Sequence, residues 1–258
     1  MKAIGIIPAR MASSRFPNKP LALIHGVPMV GHCWFRSKMS PALDEVYIAT
    51  CDEAVRKYAE SVGAPCIMTK DTHERASDRA AEAMLKIEAQ TGNKSDVVVM
   101  IQGDEPMLLP GMMDLALGPL REDPSLQISN LMAEMDTAEE FEDPNEVKVV
   151  VNLKGDALYF SREPIPSRKK GAKKVPMLKQ VCIIPFRRYY LLKFNAMPQT
   201  PLEIIESVDM MRILESGGRV RMVMSSARTL SVDTPADLAR VVEAMRGDTL
   251  MLTYGALP

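Results

Sequence analysis

Two runs, Ala3-Ile4-Gly5-Ile6-Ile7 and Val97-Val98-Val99-Met100-Ile101, are apolar on both faces, and each stops at a stretch dense in polar, charged and proline residues. Runs this short suit strands of a parallel sheet covered by helices on both sides. The segments between them fit that reading. Helical spacing is expected over residues 28–39, a strand over 45–50, and a helix over 52–58 closed by Gly63. A short strand near 66–68 precedes a helix from a Ser77 cap to about residue 90, with Gly92 just beyond, and then the strand 96–101. Strand and helix in alternation predict an α/β fold with a mixed, mostly parallel sheet flanked by helices.

After Pro110 the pattern changes. A helix to residue 120 is followed by expected strands at 126–131, 147–152, 157–161 and 178–184, with Lys154-Gly155-Asp156 turning a hairpin between the second and third. Helices are expected at 187–195 and 202–215, the second stopped by Gly217-Gly218. A strand over 219–225 and a helix opening at Thr234-Pro235 close the chain. The whole reads as one domain, 1–258, interrupted by an antiparallel lobe at about 125–200.

Composition narrows the class. The chain has 258 residues, 47% hydrophobic and 25% charged, with a formal net charge of -1, enough apolar matter for a real core. Its apolar runs fall far short of the roughly 18–20 residues that span a bilayer, and the N-terminus lacks the pattern of a secretion signal. A cytoplasmic protein without a membrane partner is the expectation. The four cysteines form no C-x-x-C pair and only three histidines could join them, so neither disulfides nor structural zinc is expected.

Charge is unevenly spread. Residues 134–146 hold seven acids and no base, whereas 164–202 hold nine bases and no acid. The basic run contains Arg168, Lys169, Lys170, Lys173 and Lys174 but no interleaved aromatics, so a solvated loop or the rim of an anionic small-molecule site is favoured over nucleic acid.

Three segments carry chemistry. The first, Pro8 to Pro20, follows the first strand, at the edge where parallel sheets bind ligands. Its cations Arg10, Arg15 and Lys19, with Ser13, Ser14 and the backbone N–H groups, suit a triphosphate, although a solvated basic loop would show the same residues. The glycine-rich spacing of a Walker loop is absent. The second, Gln102-Gly103-Asp104-Glu105-Pro106, places acids at a strand end, where they either hold a hard cation or form a solvated turn. The third, Ser231-Val232-Asp233-Thr234-Pro235, offers Asp233 either as a cation ligand or as an ordinary helix cap.

Taken together, P-A-R-M-A-S-S-R-F-P-N-K-P-L at residues 8–21, Q-G-D-E-P at 102–106, A-L-Y-F-S-R-E-P-I-P at 157–166, P-L-E-I-I-E-S-V-D-M-M-R at 201–212 and V-D-T-P-A-D-L at 232–238 resemble the sugar-acid cytidylyltransferases. The pattern is most similar to the 3-deoxy-manno-octulosonate cytidylyltransferase (CMP-Kdo synthetase) family. That resemblance implies a Rossmann-like nucleotidyltransferase fold with a dimerising antiparallel lobe, a homodimer, CTP, Mg2+ and a 2-keto-3-deoxy sugar acid (Kdo). It further implies an activated CMP-sugar for lipopolysaccharide or capsule. Carried over by residue, Arg10, Lys19, Asp104 and Asp233 would be catalytic, with Asp104 and Asp233 on magnesium. Pro8, Ala9, Arg10, Ser13, Ser14, Arg15, Lys19, His73, Arg79 and Gln102 would bind nucleotide. Arg162, Gln180, Glu203 and Glu206 would bind the sugar, with a structural ion pair as the alternative for Arg162.

Some positions depart from the family pattern. Arg75-Ala76-Ser77 stands where small Ser-Gly-Thr is usual, and Gln180-Val181-Cys182-Ile183-Ile184 replaces H-I-G-I-Y, which implies an altered sugar pocket. Asn18 replaces a glycine, a small change because Asn tolerates a left-handed backbone. The implied reaction is in-line attack of the sugar's anomeric hydroxyl on the α-phosphorus of CTP, with magnesium lowering that hydroxyl's pKa. His25 and His32 read as structural. Two rivals stay open: a cytidylyltransferase for another acidic sugar, such as a nonulosonate or amino-substituted octulosonate, and a catalytically silent nucleotide-binding or assembly module.

Overall fold

The computed structural model describes residues 1–12, 15–171 and 174–255. The chain divides into two compact units, one formed by Met1–Asp114 with Thr229–Pro258 and the other by Leu115–Arg228. The expected lobe at 125–200 falls inside the second unit, which extends further in both directions.

The first unit opens with β1 (Ala3–Ala9), β2 (Leu23–Ile24), β3 (Val27–Pro28), α1 (Met29–Lys38), β4 (Glu45–Thr50), α2 (Glu53–Ser61), β5 (Cys66–Met68), α3 (Ala76–Thr91) and β6 (Val97–Ile101). Strands β6, β1, β4 and β5 lie side by side in parallel. Every residue of β6 is buried, and of β1 only Pro8 is partly exposed, as runs without a polar face require. Helices α1, α2 and α3 pack on these strands. Parallel pairing sends the ends of β1, β4 and β6 to one edge, with Ala9 opposite Thr50. Gly103 suits the close approach there: a Cβ on it would lie 3.2 Å from the Pro8 carbonyl oxygen, a tight contact.

Helix α4 (Gly111–Glu122) contains the point of division. The second unit continues with β7 (Ser129–Glu134), α5 (Ala138–Glu142), β8 (Lys148–Val151), β9 (Ala157–Ser161), β10 (Leu178–Val181), β11 (Ile183–Arg187), α6 (Arg188–Ala196), α7 (Pro201–Glu206), α8 (Met210–Glu215) and β12 (Arg221–Ser225). Its main sheet has the order β12-β7-β10-β8-β9. The sheet is mixed, because β12 joins β7 in parallel while the remaining pairs are antiparallel. The hairpin expected at Lys154-Gly155-Asp156 is present, with Gly155 at φ 81.

The chain returns to the first unit with α9 (Pro235–Ala244). Val232, Val241, Met245 and Met251 bury themselves with Ile24 and Met29. Each such side chain contributes roughly 1.5–3 kcal/mol, and this cluster holds the segment carrying Asp233 beside β2 and α1.

Four expectations are corrected. Ser77 lies inside α3, fully buried, and Arg75 occupies the cap position. The strand expected at 126–131 begins at Ser129, and the one at 178–184 breaks at Cys182 into β10 and β11. The helix expected at 202–215 is two helices, separated by Ser207 at φ 52. Arg162 explains that break: its guanidinium donates to the carbonyls of Glu206 (2.7 Å) and Ser207 (3.4 Å), oxygens that a continuous helix would use itself.

Candidate active site

The loop after β1 closes on itself. The Asn18 N–H donates to the Met11 carbonyl at 3.2 Å, and Asn18 adopts φ 62, the left-handed conformation that its side chain tolerates. That turn starts the short 3-10 helix Lys19–Leu21 and aims Lys19 inward. The Lys19 ammonium donates to Asp104 Oδ2 at 2.7 Å, to the Val232 carbonyl at 2.9 Å and to Asp233 Oδ1 at 3.4 Å. Two carboxylates 129 positions apart in the sequence therefore share one cation. Arg15 adds a second, donating to Asp233 Oδ1 at 2.9 Å from a side chain that is 53% exposed.

Backbone contacts fix this meeting. The Val232 N–H donates to the Asp104 carbonyl at 2.9 Å, tying the turn after β6 to the segment before α9. Thr234, not Asp233, caps α9: its hydroxyl accepts the Asp237 N–H, and Asp237 Oδ2 accepts the Asp233 and Thr234 N–H groups at 3.0 and 2.8 Å. The helix cap is supplied elsewhere, so the Asp233 carboxylate is directed to Lys19 and Arg15.

Electrostatics follow from the packing. Burial alone would lower the Lys19 pKa, but the charges and hydrogen bonds of Asp104 and Asp233 outweigh it, and the net shift is upward. Asp237 pays a burial penalty that bonds from Arg240, Thr234 and the two backbone N–H groups overcome, so its pKa falls. Asp104 Oδ1 is buried without a hydrogen-bond partner, an unused acceptor in a polar cluster. Among the described residues, no three His, Cys, Asp or Glu side chains gather as a metal-binding group; the candidate cation site consists of two carboxylates.

The other expected nucleotide residues lie in the same unit. Arg10 is exposed directly after β1, Pro8 and Gln102 are partly exposed at their strand ends, and Ala9 is buried. Ser13 and Ser14 lie outside the described residues. His73 Nε2 contacts the Glu82 carboxylate, and Arg79, 2% exposed, bonds Thr69 Oγ1 and the Lys70 carbonyl while its Nη2 has no hydrogen-bond partner. His25 and His32 bond backbone carbonyls, and burial holds His32 down to about pKa 4, as suits structural imidazoles.

The residues expected to bind sugar all lie in the second unit. Glu203 is a correction: it is fully buried, and both its oxygens accept from Arg212, at 2.6 and 2.7 Å, so it does not face open space. Glu206 accepts from Tyr159, Ser161 and the Arg162 N–H. Arg162 is committed to carbonyl oxygens, including that of Pro144 at 2.8 Å, rather than to a carboxylate. Partly exposed Gln180 donates through Nε2 to Asn130 Oδ1 at 2.6 Å. Sequence reasoning missed the parts of Asp237 and Arg212; the former was detectable as the closing residue of a Thr-x-x-Asp capping box, three positions after the Thr234 cap.

A parallel sheet whose strand ends gather a basic loop and a lysine-bridged carboxylate pair defines a nucleotide-handling α/β protein. Known proteins narrow the class. A family described as Cytidylyltransferase matches residues 4–246, and the chain belongs to it. It is 42% identical over 255 residues to a 3-deoxy-manno-octulosonate cytidylyltransferase of Geobacter metallireducens, covering 95% of this chain and 98% of that one. An Escherichia coli protein of the same name is 40% identical over 93% of this chain and 94% of its own length. Among solved structures, the CMP:2-keto-3-deoxy-manno-octonic acid synthetase complexed with CTP superposes with a TM-score of 0.87, at 38% identity, over 96% of this chain and 100% of that one.

Proposed function

We propose that this protein transfers CMP from CTP to the anomeric hydroxyl of 3-deoxy-manno-octulosonate, releasing pyrophosphate and forming CMP-Kdo for lipopolysaccharide or capsule synthesis. The carrying observation is the Lys19 ammonium shared by Asp104 and Asp233 at the sheet edge where β1 and β6 end. The extent and identity of the family matches support the choice of nucleotide and acceptor.

The chemistry asks the protein mainly to position two anions and offset developing charge. Arg10 and Arg15 grip phosphate oxygens through their guanidinium forks, and Lys19 supplies a fixed point charge. When CTP arrives, Arg15 exchanges its exposed contact with Asp233 for phosphate, an exchange that costs little because surface ion pairs are weak. Arg79, with an unused buried N–H, suits a nucleotide oxygen.

The carboxylate pair fits a hard divalent cation: its donors are oxygens, and Asp104 Oδ1 is a buried acceptor without a partner. Asp104 and Asp233 would hold Mg2+, which would neutralise phosphate charge and lower the pKa of the attacking hydroxyl. Lys19 bonds both carboxylates and so holds them close together. For the acceptor, Gln180 and Glu206 remain the candidate contacts, while Arg162 and Glu203 hold the backbone around α7.

A homodimer in the cytoplasm is part of the same reading; among the described residues no helix is long and apolar enough to cross a membrane. Pyrophosphate release across a panel of nucleotides and acidic sugars tests the proposal. Release with CTP and Kdo is expected. Release only with a nonulosonate or amino-substituted octulosonate would move the acceptor assignment, and CTP binding without pyrophosphate release in the presence of any acidic sugar would identify a silent module.

A further inference from the structure

Asp52 stands at the N-cap position of α2, yet its carboxylate makes no capping bond to that helix. Its Oδ2 instead accepts the backbone N–H of Met11 at 2.8 Å, with the Cys51 thiol 3.6 Å from the same oxygen. The backbone of Asp52 is itself fixed, because its N–H donates at 3.0 Å to Oγ1 of fully buried Thr50. Thr50, the last residue of β4, pairs with Ala9, the last of β1, so Asp52 lies just past the end of β4, beside the β1 end from which the basic loop departs.

Met11 is thereby held through both of its backbone polar groups. Its N–H goes to Asp52, and its carbonyl accepts from Asn18, the residue before Lys19. Arg10 precedes this clamp and Lys19 follows it, so the directions of both cations depend on where Met11 is fixed. Asp is among the strongest helix caps, and leaving α2 uncapped has a cost. Its carboxylate is diverted to a bond that fixes a cation-bearing loop.

We propose that Asp52 is a positioning residue for the triphosphate-binding loop, acting through the Met11 N–H on Arg10 and Lys19. This rests on the nucleotide reading given above. The substitutions separate loop clamping from helix capping. Asp52→Ser supplies a good helix cap but no carboxylate extending to Met11; Asp52→Asn keeps an oxygen acceptor for the N–H.

The full chain and its variants are titrated calorimetrically with magnesium and CTP, without acceptor, and backbone exchange is followed at Met11 and Asn18. Asp52→Ser is expected to keep the wild-type unfolding midpoint, to weaken CTP binding roughly tenfold or more, and to speed exchange at both positions. Asp52→Asn is expected to recover most of both. Wild-type binding together with unchanged binding by Asp52→Ser would overturn the inference alone, as would loss of affinity that merely follows global unfolding. Wild-type protein that binds no CTP would overturn the nucleotide reading, and this inference with it.

Discussion

Each unit contains a charged cluster, and the two are built to opposite ends. In the second unit, Glu203 and Arg212 are almost wholly buried, and Arg212 also satisfies the Phe194 and Met197 carbonyls and lies over the Phe194 ring. In the first, Lys19, Asp104 and Asp233 stay partly open, with side chains 15%, 21% and 17% exposed, and one Asp104 oxygen has no partner. The cluster of the first unit includes an exposed, exchangeable contact, that of Arg15 with Asp233, whereas the buried pair of the second can only be broken. A saturated buried pair supports architecture; a shared, accessible and incompletely bonded one is suited to chemistry.

Substitution separates the two roles. Glu203→Gln leaves the Arg212 charge buried without its counterion and should cost about 3–5 kcal/mol of stability, measured by denaturant unfolding. A midpoint near wild type would remove the architectural half of the contrast. Asp104→Asn or Asp233→Asn should each cost roughly 3 kcal/mol of transition-state stabilisation, with the unfolding midpoint close to wild type. Normal turnover in either variant would dissolve the other half.

His32 sharpens the comparison through pH. Burial holds its folded pKa at about 4, below the ordinary value of 6.5, so the unfolded chain binds the extra proton between these values. Stability is therefore full above pH 6.5 and declines as pH falls towards 4, by up to about 3 kcal/mol. His32→Gln should flatten that part of the profile; an unchanged slope would contradict the assignment. Lys19 shifts the other way, so its contribution persists up to the ordinary lysine value of 10.5 and fades only above it. The smallest effect concerns the basic loop. Neutralising exposed Lys169 and Lys170 should raise the apparent KM for CTP a few-fold at low salt and hardly at all at high salt, a salt-screened effect on the order of 1 kcal/mol or less. Lys173 of that loop lies outside the described residues.

What the sequence made legible followed physical simplicity. Strands without a polar face, such as β1 and β6, have one reading, and their ends located Lys19 and Asp104. Asp233 was ambiguous because Asp and Thr before a proline are both helix caps; only the reciprocal Thr234 and Asp237 bonds give the cap to Thr234. The break between α7 and α8 had no glycine or proline to announce it, since its cause is Arg162, distant in sequence. Glu203 entered as a sugar contact through the family resemblance alone, and a motif match carries no information about the Arg212 that saturates it. Asp52 was hidden for a similar reason: in sequence it is indistinguishable from an ordinary helix cap.

The most direct measurement is a double-mutant cycle in kcat for CMP transfer from CTP to Kdo, using Asp104→Asn, Asp233→Asn and the combined variant. Carboxylates acting as one unit predict that the double variant is hardly slower than either single one, because the first substitution already disables the pair. Losses that simply multiply would mean that the two aspartates act independently, and the shared site described here would be wrong.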